Sequence, residues 1–362
     1  MRLPLIAAAV VLAAALLIAP RPGQCSEITI LPAASGTTTD RLVIASVTDM
    51  AEIRPLIEAF QKHSPGTAVV YRQSVSDELD AVATKACKED RFLADFILSS
   101  AVAQQVRLVN DGCAQKLRVP AVGRLPDWAK WRGELVGLTL EAAVIVYNKQ
   151  ALAPSDVPHS RFDLVDLLRR TDRFKGKIGT FDIAVSGLGY LFDFEDAAQA
   201  STWGRLLESF GRNDVQLFCC TSDILDRVAD GRLLIGYNVL GSYALAREEV
   251  DPRIGIVFPS DYLLSLSRAG FIPNAALNAP AARRFIAFAL SPEGVAILEK
   301  TRLLSPIDGE SVLSGIAGDG DKTIRPIALS PALLVALDKA KREMFLVQWR
   351  RSVGKAKYSA LP

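Results

Sequence analysis

The sequence predicts an α/β protein in which strands and helices alternate around largely parallel sheets. Three observations carry that prediction. Short apolar runs alternate with segments of helical spacing along most of the chain. Gly, Ser and Asp punctuate the junctions, as turns and helix starts require. With 362 residues, half of them hydrophobic, the chain is long enough for two ordinary domains with sizeable cores.

The elements follow in order. RLVIAS (41–46) reads as a compact strand. Met50, Ile53, Leu56, Ile57 and Phe60 recur at helical spacing until Gly66. TAVVYRQS (67–74) is a second strand, and SDELDAVATKACKED (76–90) a second helix. Ser76 is its candidate N-cap, and acidic residues fill its first turn. ADFILSS (94–100) and AVAQQVRLVNDG (101–112) repeat the pattern. EAAVIVYNK (141–149), GKIGTFD (176–182), DVQLFCC (214–220) and RLLIGYNVLG (232–241) are further strands. Helical segments lie at 160–170, 203–211 and 222–231. Residues 254–273 are rich in strand formers, 279–298 are helical with a Ser-Pro break, and 330–353 form a long terminal helix.

The 42 basic and 40 acidic residues leave a net charge of +2. That balance argues against a nucleic-acid groove, which needs a clustered basic excess. Arg2 precedes an almost unbroken apolar run from Leu3 to Ala19, followed by Pro20 and Pro22. The pattern is that of a cleaved secretory signal over 1–25, with a retained membrane anchor as the competing reading. Residues 26–40, mostly Thr, Ala, Ser and Gly, read as a flexible leader. After cleavage Cys87, Cys113, Cys219 and Cys220 remain. An even count in an oxidising compartment suggests disulfides; Cys87 and Cys113, in the same half of the chain, are the expected pair. Adjacent cysteines seldom bond to each other. Cys219 and Cys220 are either a thiol pair for a soft metal or metalloid, or two small residues facing opposite sides of a strand.

One junction raises a functional question. In GTFDIAVSGLGYLF (179–192) a Ser-Gly-x-Gly loop separates a strand from a helix. Small residues let backbone N–H groups approach a ligand, and a helix start aims those donors at negative charge. A tight turn that binds nothing is the alternative. No nucleophile elbow, zinc-protease motif or carboxylate pair indicates an enzyme, and no cofactor motif is present.

Three stretches go beyond a generic α/β pattern: FILSSAVAQQVRLVNDGCA (96–114), the loop just quoted, and GRLLIGYNVLGSYALA (231–246) followed by PSDYLLSLSRAGFIPNAALNAPAARRFIAFALSPEGVAIL (259–298). Their order and content resemble bacterial periplasmic solute-binding proteins of the type 2 fold. The similarity extends to the ferric-iron-binding-like branch, and within it to binding proteins associated with phosphoglycerate transport regulation and two-component sensing. The resemblance implies two lobes, an interlobe cleft and two crossover segments, near VIVYNK (144–149) and SLSRAGF (265–271). Lobe 1 would comprise 41–141 and 270–362, and lobe 2 142–269.

On that architecture, strand-end loops of both lobes would meet a ligand. The implied contacts are Thr48, Asp49, Ser99 and Ser100 from lobe 1, and Ser186, Gly187, Gly189 and Tyr190 from the glycine loop. Tyr237, Asn238, Ser242, Tyr243 and Arg268 complete the set. Each has a structural alternative: a helix cap, an Asn-tied turn, a buried aromatic, or an ion pair at a crossover for Arg268. Ferric-binding members use neighbouring tyrosines, whereas here Tyr243 is flanked by Ser242 and Ala244. His63 and His159 lack metal-ligand spacing partners. The resemblance therefore implies a monomeric receptor for a small anionic solute, a carboxylate or phosphate ester. Its partner would be an inner-membrane ABC-transporter permease or a sensor histidine kinase. A ferric-iron or metalloid receptor is the alternative.

Overall fold

The computed structural model describes residues 27–170, 172–199, 201–318 and 323–353. The expected signal segment lies outside the described residues. No helix among those described is long and apolar enough to cross a membrane.

Among the described residues, fourteen strands form two seven-stranded sheets. The strands are β1 (Glu27–Leu31), β2 (Asp40–Ser46), β3 (Thr67–Gln73), β4 (Phe96–Ser99), β5 (Lys130–Trp131), β6 (Leu135–Gly137) and β7 (Glu141–Asn148). They continue with β8 (Ile178–Phe181), β9 (Gln216–Phe218), β10 (Ile235–Leu240), β11 (Ile254–Val257), β12 (Leu263–Leu266), β13 (Ala269–Phe271) and β14 (Ile324–Pro326). The first sheet runs β1-β3-β2-β4-β13-β6-β5. The second runs β14-β12-β7-β10-β8-β9, with β11 also paired to β7.

Strand β2 shows why the first sheet is covered on both faces. Its side chains alternate. Leu42 and Ile44 point toward helices α1 (Met50–His63) and, later in the chain, residues 279–289, packing with Ile53, Phe60 and Phe285. Val43 and Ala45 face α2 (Ser76–Lys88) and α3 (Val102–Asn110), packing with Leu79, Ala83 and Val102. Asp80 receives Arg107 Nη2 at 2.6 Å, tying α2 to α3. Cys87 and Cys113 are joined by a disulfide on this same face.

In the second sheet, β10, β8 and β9 run parallel. Its helices are α4 (Arg161–Arg170), α5 (Gly187–Gln199), α6 (Trp203–Arg212), α7 (Thr221–Ala229) and α8 (Gly241–Val250). Residues 279–289 and 292–300 are α9 and α10, and α11 (Gly309–Ala317), α12 (Leu334–Leu337) and α13 (Lys339–Val353) complete the set.

The structure departs from the sequence reading at four places. The sheets are mixed, not largely parallel throughout: β7 is antiparallel to β10 and β12, and β13 to β4 and β6. These are the strands that flank the crossings between sheets, where the chain must reverse. The crossings themselves are short, at 138–140 and 267–268, so the first precedes VIVYNK. Part of the expected leader is strand β1, which pairs antiparallel with β3 from Glu27↔Gln73 to Leu31↔Val69. Finally, the chain end does not stay with the first sheet. β14 pairs with β12, and Leu346, Trp349 and Val353 of α13 pack with Trp203 and Phe210 of α6. A Cβ on Gly211 would collide with the Ser352 carbonyl, so glycine permits that close helix approach.

Candidate functional site

The two crossings lie side by side and are locked by buried polar groups. The Arg268 Nε and Nη2 donate to Glu141 at 2.5 and 3.1 Å, a bidentate pair. Arg268 Nη1 donates to Thr48 Oγ1 at 3.0 Å, reaching into the first lobe. Ser242 Oγ donates to Glu141 Oε2 at 2.5 Å, and Thr139 Oγ1 to Glu141 Oε1 at 3.0 Å. Ser267 Oγ donates to the Thr139 carbonyl. Arg268 and Glu141 are each about 1 % exposed. Burial works against the Arg268 charge, but Glu141 and the surrounding tyrosines outweigh it and raise its pKa.

Above this lock lies a cavity of about 250 Å³ between the sheets. Strand-to-helix junctions supply its walls. From the first sheet come Asp49 at the start of α1, Gln73–Ser76 from the end of β3 to the first residue of α2, and Ser100 before α3. From the second come Ser186 and Leu188 at α5, Cys219–Asp223 at α7, and Leu240 and Tyr243 at α8. Open α/β sheets bind ligands at this end of their strands. The N-cap residues of α1, α2, α3, α7 and α8 make no side-chain cap hydrogen bond. Thr221 is 5 % exposed, lines the cavity, and its Oγ1 has no hydrogen-bond partner. A buried hydroxyl without a partner is uncommon in a folded protein.

The lobes touch across this space. Gly187 N donates to Ser76 Oγ at 2.9 Å, and Asp49 N to Tyr243 Oη at 3.0 Å. Asp49 Oδ1 accepts Gln73 Nε2 at 2.7 Å, while Gln73 Oε1 accepts Met50 N at 2.9 Å. Gln73 thus serves the start of α1 from a neighbouring strand. Burial raises the Asp49 carboxyl, and Tyr243, Arg268 and Gln73 offset part of that rise. Desolvation also raises the Tyr243 phenol, so it stays protonated.

Of the residues expected from the sequence, Asp49, Ser100, Ser186, Tyr243 and Arg268 line the cavity. The others do not. Thr48 holds Arg268 from behind, and its carbonyl accepts Tyr71 Oη at 2.6 Å. Ser99 Oγ accepts Ala101 N at 3.1 Å, the helix-start role. Gly187 spends its N–H on Ser76 across the lobes. Gly189 packs on Phe181 and donates to Ser186 Oγ at 3.1 Å. Tyr190 is buried, with its hydroxyl donating to Ala336 O at 2.7 Å. Tyr237 and Asn238 donate to Asp196 Oδ2 at 2.7 and 2.8 Å, and Arg161 Nε donates to Tyr237 Oη at 2.8 Å. That buried network sits inside the second lobe. Ser242 is committed to Glu141. Ser76 begins α2 but caps nothing, because its hydroxyl serves Gly187.

The ligand set implied by the resemblance omits two wall segments, 73–76 and 219–223. Both follow a strand and open a helix, so the rule that selected Ser100 and Ser186 covers them too. Cys219 and Cys220 do not alternate within a strand. β9 ends at Phe218, and Cys220 is the N-cap of α7. One ligand atom from each of Cys219, Cys220 and Asp223 lies within 4.8 Å of the others, a spacing that suits a metal ion. The Cys219 thiol is lowered by its hydrogen bond with Cys220, against burial and the Asp223 charge.

The comparisons with known proteins agree with this architecture. Residues 42–301 match the family described as bacterial extracellular solute-binding protein. The substrate-binding protein of an ABC transporter from Agrobacterium tumefaciens is 35% identical. The match covers 92% of this chain and 100% of that one, with a TM-score of 0.86. Iron-bound HitA from Pseudomonas aeruginosa is 17% identical over 87% of this chain and 99% of that one, with a TM-score of 0.65. AfuA from Actinobacillus pleuropneumoniae, with exogenous fructose-6-phosphate bound, is 18% identical over 87% and 99%, with a TM-score of 0.66. The last two likenesses concern the fold. No curated protein sequence matches the chain. A two-lobe fold, an interlobe cavity walled by helix starts, and a family match over most of the chain converge: this chain belongs to the bacterial extracellular solute-binding proteins.

Proposed function

We propose that the protein captures a small anionic solute, a carboxylate or phosphate ester, in the cavity between its lobes. The observation that carries this reading is Thr221: a buried hydroxyl without a partner, lining the cavity at the start of α7. An anion oxygen there would satisfy the hydroxyl and meet the N–H groups of a helix start. The starts of α1, α2, α3, α5 and α8 at the same cavity add to that field. Arg268 contributes its edge, though its charge is matched by Glu141, so backbone donors carry most of the recognition. Contacts from both lobes favour closure on the ligand.

The setting proposed is the periplasm, reached through cleavage of the 1–25 signal. The closed form would dock as a monomer on an ABC-transporter permease or on a sensor histidine kinase. The resemblance to phosphoglycerate-regulatory binding proteins supports the second output, and the Agrobacterium relative, described as part of an ABC transporter, the first. A ferric receptor is less well supported. Hard ferric iron favours anionic oxygen ligands from neighbouring tyrosines, yet Tyr243 is flanked by Ser242 and Ala244 and the Tyr237 hydroxyl is bonded to Asp196 and Arg161 inside the second lobe.

A thermal-shift panel of carboxylates and sugar phosphates tests the reading. A ligand at 100 times its Kd stabilises by about 2.7 kcal/mol, a shift of several degrees. Stabilisation by ferric iron and by no anion would overturn it. A second outcome concerns Asp49. Its raised carboxyl takes up a proton as the pH falls from neutrality, which removes a negative charge from the cavity wall. Affinity for a given anion should therefore rise on acidification in the native protein relative to Asp49→Asn. Identical pH profiles, compared ligand by ligand, would contradict this.

A further inference from the structure

We propose that Cys219, Cys220 and Asp223 form a site for a soft, thiophilic divalent cation of the zinc and cadmium class, opening on the interlobe cavity. The three side chains offer two sulfurs and one carboxylate oxygen within 4.8 Å of one another. Cys219 Sγ and Asp223 Oδ2 are 3.5 Å apart. The chain arranges them by simple means. β9 ends at Phe218, the backbone turns at Cys220, and Asp223 sits in the first turn of α7, one helical turn beyond Cys219.

All three line the cavity and are half-buried, so an ion has an entry path and a partly dry seat. Sulfur donors select soft ions over calcium, magnesium and ferric iron, which prefer oxygen. Three protein ligands leave the fourth position of a tetrahedral ion open toward the cavity. The unpartnered Thr221 hydroxyl lies between these ligands in the sequence, on the same wall. Cys87 and Cys113, the other two cysteines among the described residues, are tied in the disulfide. Loading one divalent ion forms two metal–sulfur bonds and one metal–oxygen bond, and releases the two thiol protons to solvent.

The site does not depend on the anion reading. Its test uses cadmium alone, with no candidate solute present, so each reading can fail without the other. Purified full-length protein, unreduced so that the disulfide stays intact, is titrated with cadmium while thiolate-to-metal absorption is followed in the ultraviolet. The expected result is one ion per chain with a charge-transfer band. The band should disappear in Cys219→Ser/Cys220→Ser, with circular dichroism showing that the variant is folded. Asp223→Asn should keep the band and weaken affinity by roughly tenfold. Zinc should compete. The absence of a band in native protein, or an equal band in the double serine variant, would overturn the proposal.

Discussion

Replacing Arg268 by methionine is expected to destabilise the protein by about 3–5 kcal/mol, because Glu141 would remain buried without its cation. For a chain of this size that corresponds to a fall in thermal midpoint of roughly 4–7 °C. Glu141 would keep only the hydroxyls of Ser242 and Thr139 as donors, and Thr48 would lose its link to the crossings. The pair itself need not be a net source of stability. Burying two charges is costly, and an apolar pair of similar volume can replace them. The Arg268→Met/Glu141→Leu double variant should therefore recover most of the loss. Scanning calorimetry on the native protein, both single variants and the double variant measures the cycle. An Arg268→Met variant within 1 kcal/mol of native, by that cycle, would mean that the crossings are not held by this pair.

Ser186→Asp should separate binding from stability. Ser186 Oγ accepts Gly189 N at the start of α5, and aspartate serves equally well as an N-cap. Its charge also complements the helix dipole, so the fold should be unharmed. In the cavity, however, the new carboxylate faces the proposed anion. Like-charge contact at a partly desolvated site costs several kcal/mol, so affinity should fall about a hundredfold. Calorimetric titration beside a melting curve reads both quantities. Unchanged affinity would remove the α5 start from the binding surface. Unchanged affinity together with a lower melting point would show that Ser186 acts only in the fold.

Much of this architecture was legible in the alternation of apolar runs with helical spacing. β2, α1, β3, α2, β4 and α3 fall where the pattern from Arg41 to Gly112 places them, because each is specified by local periodicity. The crossings were less legible. Whether β7 runs with or against β10 depends on where the chain arrives from, and Glu141–Asn148 has the same apolar character in either direction. β1 was hidden because Ile28 and Ile30 remain exposed. An edge strand held by backbone pairing leaves only a weak sequence signal. Helix α13 joins the second lobe through Trp349 and its neighbours, a choice made by tertiary packing.

The site divides in the same way. Topology points to the strand ends that wall the cavity, and Asp49, Ser100 and Ser186 lie there. It did not say which of two adjacent residues faces inward: Ser100 lines the cavity while Ser99 turns to Ala101. Tyr237 and Asn238 read as strand-end residues, yet they lie within β10, and Asp196, from a helix some forty residues earlier in the chain, claims both. Buried partners of that kind cannot be read from spacing. Cys219 and Cys220 were open to either reading until the end of β9 fixed their position.

A crystal structure of the protein with the best-stabilising anion of the panel tests the central claim most directly. The expected result is density for the anion between Ser100 and Ser186, with the Thr221 hydroxyl donating to one of its oxygens. An anion seated outside the interlobe cavity, with Thr221 still bare, would contradict it.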